Sequence, residues 1–342
     1  TVLIIGIGTT VLLTMAFKLK GKPKVYVTRL VPQPGIDILE KECELTFWKS
    51  DEAIPQEELL KNVRGVDGLF CMLTDQINKE VIEAAGPQLQ VVATMSVGFE
   101  HIDVAECDKR NIVVANTPNV STDSVAELTV ALLLLTSRRL LEGVTAVKNG
   151  EWGAWKPMWL LGTEMTQRTV GILGLGRIGY GVARRLRPFG VRKILYHDVV
   201  SVSYASDVGA EFVTFEELIK ESDFICICCN LTAQTRHKFN KDTFKKMKKS
   251  AILVNSGRGG VVHHDDLYEA LVNGDIAAAG LDVTEPEPLP ASHPLISLSN
   301  CIVLPHMGSN TWESRNSMSS TAAKNILAVF HKEKPMGEVH AK

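Results

Sequence analysis

The sequence predicts an α/β fold built from parallel sheets whose faces are covered by helices. The chain has 342 residues, long enough for two domains that each bury a core. Between 24 and 95, apolar runs typical of strands alternate with helical patterns, as in parallel sheets joined by crossover helices. A second alternation, from 169 to 304, contains a glycine-rich turn. The unit with this turn is therefore not the first domain.

The elements of both alternations can be assigned in order. In the first we expect strands at 24–28, 44–48, 68–72 and 91–95, and helices at 34–42, 57–63 and 77–85. In the second we expect strands at 169–173, 193–196, 223–229, 251–255, 277–283 and 301–304, and helices at 215–221, 241–247 and 315–330. The pattern at 124–141 is apolar nearly all round, which predicts a helix buried between domains or against another subunit.

The stretch 169–198 is the most informative part of the chain. A strand buried on both faces is followed by Gly174, Gly176 and Gly179 in G-x-G-x-x-G spacing, and then by a helical pattern. In such a turn the first glycine makes the bend and the second lets the backbone approach a pyrophosphate. The third glycine lets the helix pack closely on the strand.

A carboxylate completes this pattern. Asp198 ends the next strand, nineteen residues after Gly179, where an acid can accept hydrogen bonds from a ribose diol. The start of the helix offers unpaired N–H groups and a dipole that favour a phosphate. Strand, glycines, helix and acid together predict dinucleotide binding.

Composition excludes several other classes. The 37 basic and 39 acidic residues nearly balance, so no nucleic-acid surface is expected. Seven cysteines occur without a regular disulfide framework, which is typical of a reducing compartment and predicts a cytoplasmic protein. Strand alternation would place Cys226 and Cys228 on one face and Cys229 on the other, which argues against a metal site there.

The run His263-His264-Asp265-Asp266 superficially resembles a set of metal ligands. We instead interpret Asp266 as the N-cap of a helix, with Glu269 completing a capping box. No metal is expected in this protein.

The N-terminal segment 1–17 is uncharged and mostly apolar, and a basic stretch follows it. Seventeen residues is about the lower limit for a membrane span, so membrane contact is expected only through this segment. An anchor or targeting segment and a poorly ordered extension are equally compatible with the pattern.

Three tryptophans lie close together after the long helical pattern, namely Trp152, Trp155 and Trp159. Such aromatic residues most often anchor a core or an interface, and a minority line ligand pockets. The pattern alone leaves both roles open.

Six motifs follow one another along the chain, namely SVGFEH (96–101), KNGEWGAWKPMWLLG (148–162), GLGRIG (174–179), NSGRGG (255–260), GLDVTEPEPLP (280–290) and LPHMGS (304–309). Through these motifs the chain from about 24 to 336 resembles the D-2-hydroxyacid dehydrogenase family, most closely its glyoxylate/hydroxypyruvate reductase group. This resemblance implies two doubly wound, Rossmann-like domains, with a discontinuous substrate domain. The implied boundaries are an extension at 1–23, a substrate-binding domain at 24–120 and 306–336, and an NAD(P)-binding domain at 121–305.

The resemblance also implies a catalytic trio. Arg258 would hold a 2-oxo acid by its carboxylate and carbonyl oxygens, and its planar fork suits that task. His306 would be the general acid that protonates the carbonyl oxygen. Glu287 would partner the imidazole, because it stands directly before a proline as in the family, but Glu285 two positions earlier makes this choice less clear.

Further residues match family positions at the two ligands. Substrate contacts are implied for Val97, Gly98, Trp155, Arg258 and Ser309, with Trp155 reaching the active site of a partner subunit. Cofactor contacts are implied for Gly174, Gly176, Arg177, Ile178, Gly179, Asp198, Asn230, Ser256, Asp282 and Gly308. A homodimer is expected from the same resemblance.

Asp198 departs from the reductase group, whose NADPH-using members carry arginine and no acid at this place. A carboxylate there accepts hydrogen bonds from ribose hydroxyls and repels a 2′-phosphate. Arg177 and His197 could soften that repulsion, but neither replaces the missing arginine. We therefore expect NAD(H) to be favoured over NADP(H).

The expected function is the NAD(P)H-dependent reduction of small 2-oxo acids, hydroxypyruvate to D-glycerate and glyoxylate to glycolate. Two alternatives remain open. One is another D-2-hydroxyacid dehydrogenase, such as the phosphoglycerate type. The other is a dinucleotide-sensing binding protein similar to the corepressors of this fold.

Overall fold

Two parallel sheets, each in its own unit, form the protein in a computed structural model that describes residues 21–341. The first unit extends to Ser121 and resumes at Thr311, and the second runs from Thr122 to Asn310. The first unit is thus discontinuous in sequence. The boundary expected at 120/121 lies one residue before the first division, and the boundary expected at 305/306 lies five residues before the second. The larger difference arises because the turn after 305 is hydrogen-bonded to Asp282 of the second unit.

The first unit contains a six-stranded sheet, formed by β1 (Lys24–Val27), β2 (Glu44–Phe47), β3 (Gly68–Cys71), β4 (Val91–Thr94), β5 (Val113–Ala115) and β13 (Glu338–Val339). The strand order is β13-β5-β4-β3-β1-β2. The helices of this unit are α1 (Gln33–Leu39), α2 (Gln56–Asn62), α3 (Lys79–Ala85), α4 (Val104–Lys109) and α11 (Trp312–Phe330). β13 is antiparallel to β5, and the other pairs are parallel.

Helices cover both faces of this sheet because its strands are apolar on both faces. Tyr26 and Leu69 belong to one buried cluster, whereas Val25 and Phe70, their neighbours in sequence, belong to another. The second cluster includes Ile326 of α11, so the returning helix completes the first unit. The predicted doubly wound arrangement is confirmed.

The second unit contains a seven-stranded parallel sheet in the order β12-β11-β10-β9-β6-β7-β8. Its strands are β6 (Thr169–Leu173), β7 (Lys193–His197), β8 (Ala210–Phe212), β9 (Phe224–Ile227), β10 (Ile252–Asn255), β11 (Ala278–Leu281) and β12 (Cys301–Val303). Its helices are α5 (Thr122–Ser137), α6 (Leu140–Lys148), α7 (Arg177–Leu186), α8 (Phe215–Glu221), α9 (Lys241–Phe244) and α10 (His264–Asn273). Strand order reverses at β6, and ligands of open α/β sheets bind outside the carboxyl ends of the strands at such a point.

The apolar pattern at 124–141 forms two helices rather than one. Arg139 adopts a left-handed conformation with φ of 54° and separates α5 from α6. Its guanidinium donates to both carboxylate oxygens of Glu142, each at 2.8 Å, in the first turn of α6. α5 is buried as expected, but against the sheet of its own unit, where Leu132 and Leu133 join a core with Val170.

The capping prediction at Asp266 was wrong. His263 is the N-cap of α10, and its Nδ1 accepts from the backbone N–H of Asp266 at 3.3 Å. The Asp266 carboxylate instead accepts from the backbone N–H of Lys241 at 2.9 Å. A histidine ring nitrogen can therefore take the place of the serine or aspartate that the sequence rules favour.

The thiols in and directly after β9 point to opposite faces, as predicted. Cys226 and Cys228 pack with one core cluster of the second unit, and Cys229 packs with the other. Within 21–341, no group of three His, Cys, Asp or Glu side chains is arranged to hold a metal ion. Across the same residues, every helix is too short or too polar to span a membrane. The anchor and extension hypotheses for 1–17 fall outside the described residues.

Candidate active site and dinucleotide site

The glycine-rich turn between β6 and α7 has the shape that a pyrophosphate requires. Gly174 has a φ of 90°, and a Cβ there would lie 2.8 Å from backbone atoms of Cys229. A Cβ at Gly179 would lie 2.1 Å from the carbonyl oxygen of Gly174, so only glycine allows this helix to pack so closely. Gly176 is the N-cap, without a side-chain cap, and a Cβ there would meet nothing within 4 Å. The start of α7 is thus open to an anion.

Asp198 lies beside this turn, directly after β7. Its Oδ2 accepts from the backbone N–H of Leu175 at 2.9 Å, and its Oδ1 accepts from Val199 at 2.8 Å. The phenol of Tyr204 donates to the Leu175 carbonyl at 2.9 Å, which holds the same turn from the other side. Each carboxylate oxygen has two lone-pair sites, so both retain the capacity to accept from a ribose hydroxyl.

The two residues expected to moderate this carboxylate differ in placement. His197 Nδ1 is 2.9 Å from the carbonyl oxygen of Val213, and its ring stacks on Phe212. His197 is therefore engaged with the segment around β8. Arg177 is exposed at the first position of α7.

Arg258 is presented by a tight turn at the carboxyl end of β10. Buried Asn255 accepts from Gly257 N–H at 3.0 Å and donates to the Arg258 carbonyl at 2.9 Å. Arg258 Nη1 donates to the Gly257 carbonyl at 2.8 Å, which fixes one arm of the guanidinium. Asn255 is thus a positioning residue that sequence reasoning did not single out, although it begins the NSGRGG motif. Ser256 Oγ lies 2.6 Å from Thr129 Oγ1 of α5.

Asp282 organises the turn that carries His306. Its carboxylate accepts from the backbone N–H groups of Met307 at 2.7 Å and Gly308 at 2.8 Å, and its carbonyl accepts from His306 N–H at 3.0 Å. These bonds hold His306 in a left-handed conformation with φ of 55°. Burial raises the pKa of Asp282, and the Met307 N–H and the charge of His306 oppose that rise.

Glu287 is the carboxylate that contacts the imidazole. Its Oε1 forms a hydrogen bond with His306 Nδ1, and its Oε2 accepts from Thr284 N–H at 3.4 Å. Burial alone would raise the pKa of Glu287, but the hydrogen bond and charge of His306, with a smaller contribution from Arg258, hold it below the ordinary value. Glu285 binds elsewhere, so the choice between the two carboxylates is resolved in favour of Glu287.

The site in the second unit therefore brings together His306, Glu287, Asp282 and Gly308, with Arg258 close enough to influence Glu287 electrostatically. Bonded through Nδ1, the imidazole leaves its Nε2 for another partner. Such an arrangement can deliver a proton to an oxygen held nearby. Ser309 follows directly, at the end of this turn.

The first unit contains a turn at the carboxyl end of β4. Ser96 Oγ donates to the Gly98 carbonyl at 2.6 Å, and Asn116 Nδ2 donates to the Val97 carbonyl at 2.7 Å. Both carbonyls of the predicted substrate loop are thus bound, which fixes the orientation of its peptide groups.

Asn230 and Trp155 both lie at exposed places. Asn230 follows β9, and its carbonyl accepts from Thr235 Oγ1 at 2.8 Å. Trp155 lies in the loop after α6 with 84% of its surface exposed. The contact of Trp155 with the active site of a partner subunit stays a prediction.

Comparison with known proteins identifies the family. Residues 130–308, almost all of the second unit, match the description "D-isomer specific 2-hydroxyacid dehydrogenase, NAD binding domain". The chain belongs to this family. The predicted nicotinamide dinucleotide site is accordingly located in the second unit.

Relatives of the whole chain carry consistent names. A human glyoxylate reductase/hydroxypyruvate reductase is 53% identical over 308 residues, which are 89% of this chain and 94% of the relative. A glyoxylate reductase of Thermofilum pendens is 45% identical over 319 residues, which are 92% and 94% of the two chains. An NADPH-dependent glyoxylate/hydroxypyruvate reductase of Sinorhizobium meliloti, solved with NADP and malonate, superimposes with a TM-score of 0.82 at 32% identity, covering 93% of this chain and 97% of that one.

Proposed function

We propose that this protein reduces small 2-oxo acids, converting hydroxypyruvate to D-glycerate and glyoxylate to glycolate with a nicotinamide dinucleotide. The observation that carries the proposal is the His306–Glu287 pair beside Arg258, in the same unit as the glycine-rich turn. The names of the human and Thermofilum pendens relatives favour these two substrates. The first unit is proposed as the substrate-binding domain.

Each side chain has a defined task in this reaction. Arg258 binds the carboxylate and the carbonyl oxygen of the 2-oxo acid with its planar fork. The backbone N–H groups of Val97 and Gly98 bind the same carboxylate, and Ser309 contacts the substrate. His306 donates the Nε2 proton to the carbonyl oxygen, while Glu287 holds the Nδ1 proton and stabilises the charged imidazole. When bound, the dinucleotide supplies the hydride that reduces the carbonyl carbon.

The dinucleotide fits the residues present. The turn from Gly174 to Gly179 and the start of α7, including Arg177 and Ile178, would hold the pyrophosphate. Asp198 would accept from the adenosine ribose. Asn230, Ser256, Asp282 and Gly308 would contact the nicotinamide half.

A turnover assay distinguishes this proposal from its alternatives. We expect oxidation of the reduced dinucleotide with hydroxypyruvate and glyoxylate. Turnover with 3-phosphoglycerate in the reverse direction and little activity on hydroxypyruvate would identify the phosphoglycerate type instead. Tight dinucleotide binding without turnover of any 2-oxo acid would favour the corepressor-like alternative.

A reducing, cytoplasmic location is proposed for this enzyme, since all seven cysteines are free thiols.

We expect NADH to be preferred over NADPH, by about tenfold in kcat/KM for an energy difference of about 1.4 kcal/mol. The reason is the repulsion between the Asp198 carboxylate and a 2′-phosphate. Asp198→Ser should narrow or reverse the preference, whereas Asp207→Asn, an exposed aspartate of the same unit, should not change it. The measurement is kcat/KM for both dinucleotides. A wild type that prefers NADPH and does not respond to Asp198→Ser contradicts the assignment.

A homodimer is proposed because α6 and the loop after it expose many large apolar side chains. More than 40% of the surface is exposed for Leu140, Leu141, Val144, Val147, Trp152, Trp155, Met158 and Leu161. Monomeric proteins seldom expose a contiguous apolar patch of this kind. Sedimentation of the purified protein tests the proposal, and a monomer at micromolar concentration would contradict it.

Trp155→Ala should shift substrate preference toward bulkier 2-oxo acids. In the proposed dimer this indole enters the partner's active site and limits the size of the substrate side chain. The measurement is the ratio of kcat/KM for hydroxypyruvate to that for a bulky 2-oxo acid, with Trp152→Ala as a matched control. An unchanged ratio in a Trp155→Ala protein that remains dimeric would leave Trp155 as an interface anchor only.

A further inference from the structure

Glu285 lies two residues before Glu287 and is bound by two side chains of another segment. Its Oε1 accepts from Arg236 Nη1 at 2.8 Å, and its Oε2 is 2.9 Å from His237 Nε2. Burial would raise the pKa of Glu285, but the hydrogen bonds from His237 and Arg236 hold it below its ordinary value. The carboxylate therefore remains charged and bridges two cationic or hydrogen-bonding partners.

Both partners belong to the segment that follows β9. Within this segment Thr235 Oγ1 donates to the Asn230 carbonyl at 2.8 Å, and the Arg236 N–H donates to the Thr232 carbonyl at 2.9 Å. Asn230 is a proposed cofactor contact, so these bonds connect Arg236 to the dinucleotide side of the site. The segment is a compact turn rather than an extended loop.

The backbone ties the same segment to the end of the Arg258 loop. His237 N–H donates to the Gly260 carbonyl at 2.8 Å, and Phe239 N–H donates to the Val261 carbonyl at 3.1 Å. The ring of His237 packs edge-on against His263, with centroids 4.9 Å apart. The partners of Glu285 are thus held by two strand-end loops.

On the other side, Glu285 belongs to the short loop that presents Glu287. Thr284 donates through its N–H to Glu287 Oε2 at 3.4 Å and through its hydroxyl to the Pro286 carbonyl at 2.8 Å. Any shift of Glu285 therefore moves the peptide units that aim Glu287 at His306. Glu285 and Glu287 are only two positions apart in the chain.

We propose that Glu285 is a positioning residue which, with Arg236 and His237, clamps the 284–288 loop to the segment after β9 and so keeps Glu287 on His306 Nδ1. The inference rests on the proposed function, in which His306 donates the proton. Through these contacts Glu285 connects the dinucleotide side of the site with the His306–Glu287 pair.

The exposure of the clamp separates this role from a purely structural one. The side chains of Arg236 and Glu285 are 50% and 36% exposed. Ion pairs of that kind contribute little to folding stability. A displacement of about 1 Å in an active site, by contrast, can cost about a hundredfold in rate. Loss of the clamp should therefore lower kcat with little change in thermal stability.

The test compares Glu285→Ala and Arg236→Ala with wild type and with Glu269→Gln. Glu269 of α10 is the matched control, because it lies in the same unit and its exposed carboxylate forms an ion pair with Lys241 at 2.7 Å. We expect each clamp variant to lose about tenfold or more in kcat, with the KM of the 2-oxo acid changed much less. The control should keep the wild-type kcat and the wild-type melting temperature.

A double-mutant cycle identifies the residue through which Glu285 acts. If Glu285 works through Glu287, then Glu285→Ala should cost nothing further in a Glu287→Gln background. The acid limb of the kcat/KM profile gives an independent readout. His306 holds the pKa of Glu287 low, so a displaced Glu287 takes up a proton at higher pH. The acid limb of the profile should therefore shift to higher pH in the clamp variants.

The outcomes are distinguishable from failure of the proposed function. Absence of turnover in the wild-type enzyme would overturn the proposed function itself. Slow His306→Gln and Glu287→Gln variants beside fully active clamp variants would overturn the clamp alone. Additive losses in the double-mutant cycle, or an unchanged acid limb with lowered thermal stability, would also overturn it, because Glu285 would then be only a structural residue.

Discussion

The His306→Gln enzyme is expected to reduce 2-oxo acids about 10²–10⁴ times more slowly than wild type at saturating substrate. Glutamine has a similar length and can still donate a hydrogen bond from its amide, but it cannot give up a proton to the carbonyl oxygen. The glycine-rich turn and Asp198 are untouched, so the affinity for the dinucleotide should remain unchanged. The measurements are kcat by absorbance and dinucleotide binding by fluorescence titration.

A second histidine–glutamate pair provides the control for this experiment. His331 Nε2 is 2.7 Å from Glu42 Oε2 on the exposed surface of the first unit. His331→Gln removes the same type of contact in a different unit from that of the His306–Glu287 pair, and we expect wild-type kinetics. A His306→Gln enzyme that turns over at the rate of the His331→Gln enzyme would show that the proton comes from another group.

The glycine-rich turn could be predicted from sequence because its requirements are local. Gly174 needs a positive φ and Gly179 must let the backbone of α7 pack against the turn. Only glycine satisfies both conditions at this spacing, and Asp198 follows at the end of the next strand. The alternation of apolar segments similarly predicted two parallel sheets, because strands buried on both faces are nearly continuous runs of apolar residues.

The pairing of His306 could not be derived in the same way. Glu285 and Glu287 have the same charge and stand two positions apart, so periodicity does not distinguish their partners. The structure distinguishes them because Arg236 and His237, about fifty positions earlier, bind Glu285. Such partners become neighbours only when the ends of β9 and β11 meet at one edge of the sheet.

The errors at helix ends have local causes that sequence rules weigh wrongly. His263 caps α10 with a ring nitrogen, a role for which serine, threonine, aspartate and asparagine are usually preferred. Arg139 interrupts 124–141 although arginine favours helices: its backbone is left-handed, and its guanidinium forms a fork onto Glu142 at the start of α6. Average propensities include neither of these local side-chain contacts.

Arg258→Lys is expected to raise the KM for 2-oxo acids by about 10- to 100-fold, with a smaller change in kcat. That range corresponds to about 1.4–2.8 kcal/mol, the size of one lost hydrogen bond between charged groups. Arg258 donates through Nη1 to the Gly257 carbonyl, and the planar fork of a guanidinium matches the two oxygens of a carboxylate. A lysine ammonium is a compact charge without a planar fork, so it cannot bind the Gly257 carbonyl and both substrate oxygens in the same geometry.

The measurement for Arg258→Lys is a pair of saturation curves, one for the 2-oxo acid and one for the dinucleotide. Arg187→Lys is the matched control, because Arg187 is exposed and lies at the end of α7, away from β10 in sequence. A loss confined to kcat would mean that Arg258 acts only on the transition state, and an unchanged KM and kcat would remove it from the substrate site. An increase in KM for the 2-oxo acid but not for the dinucleotide places the guanidinium at the substrate carboxylate, since a group that ordered the whole turn through Asn255 would affect both ligands.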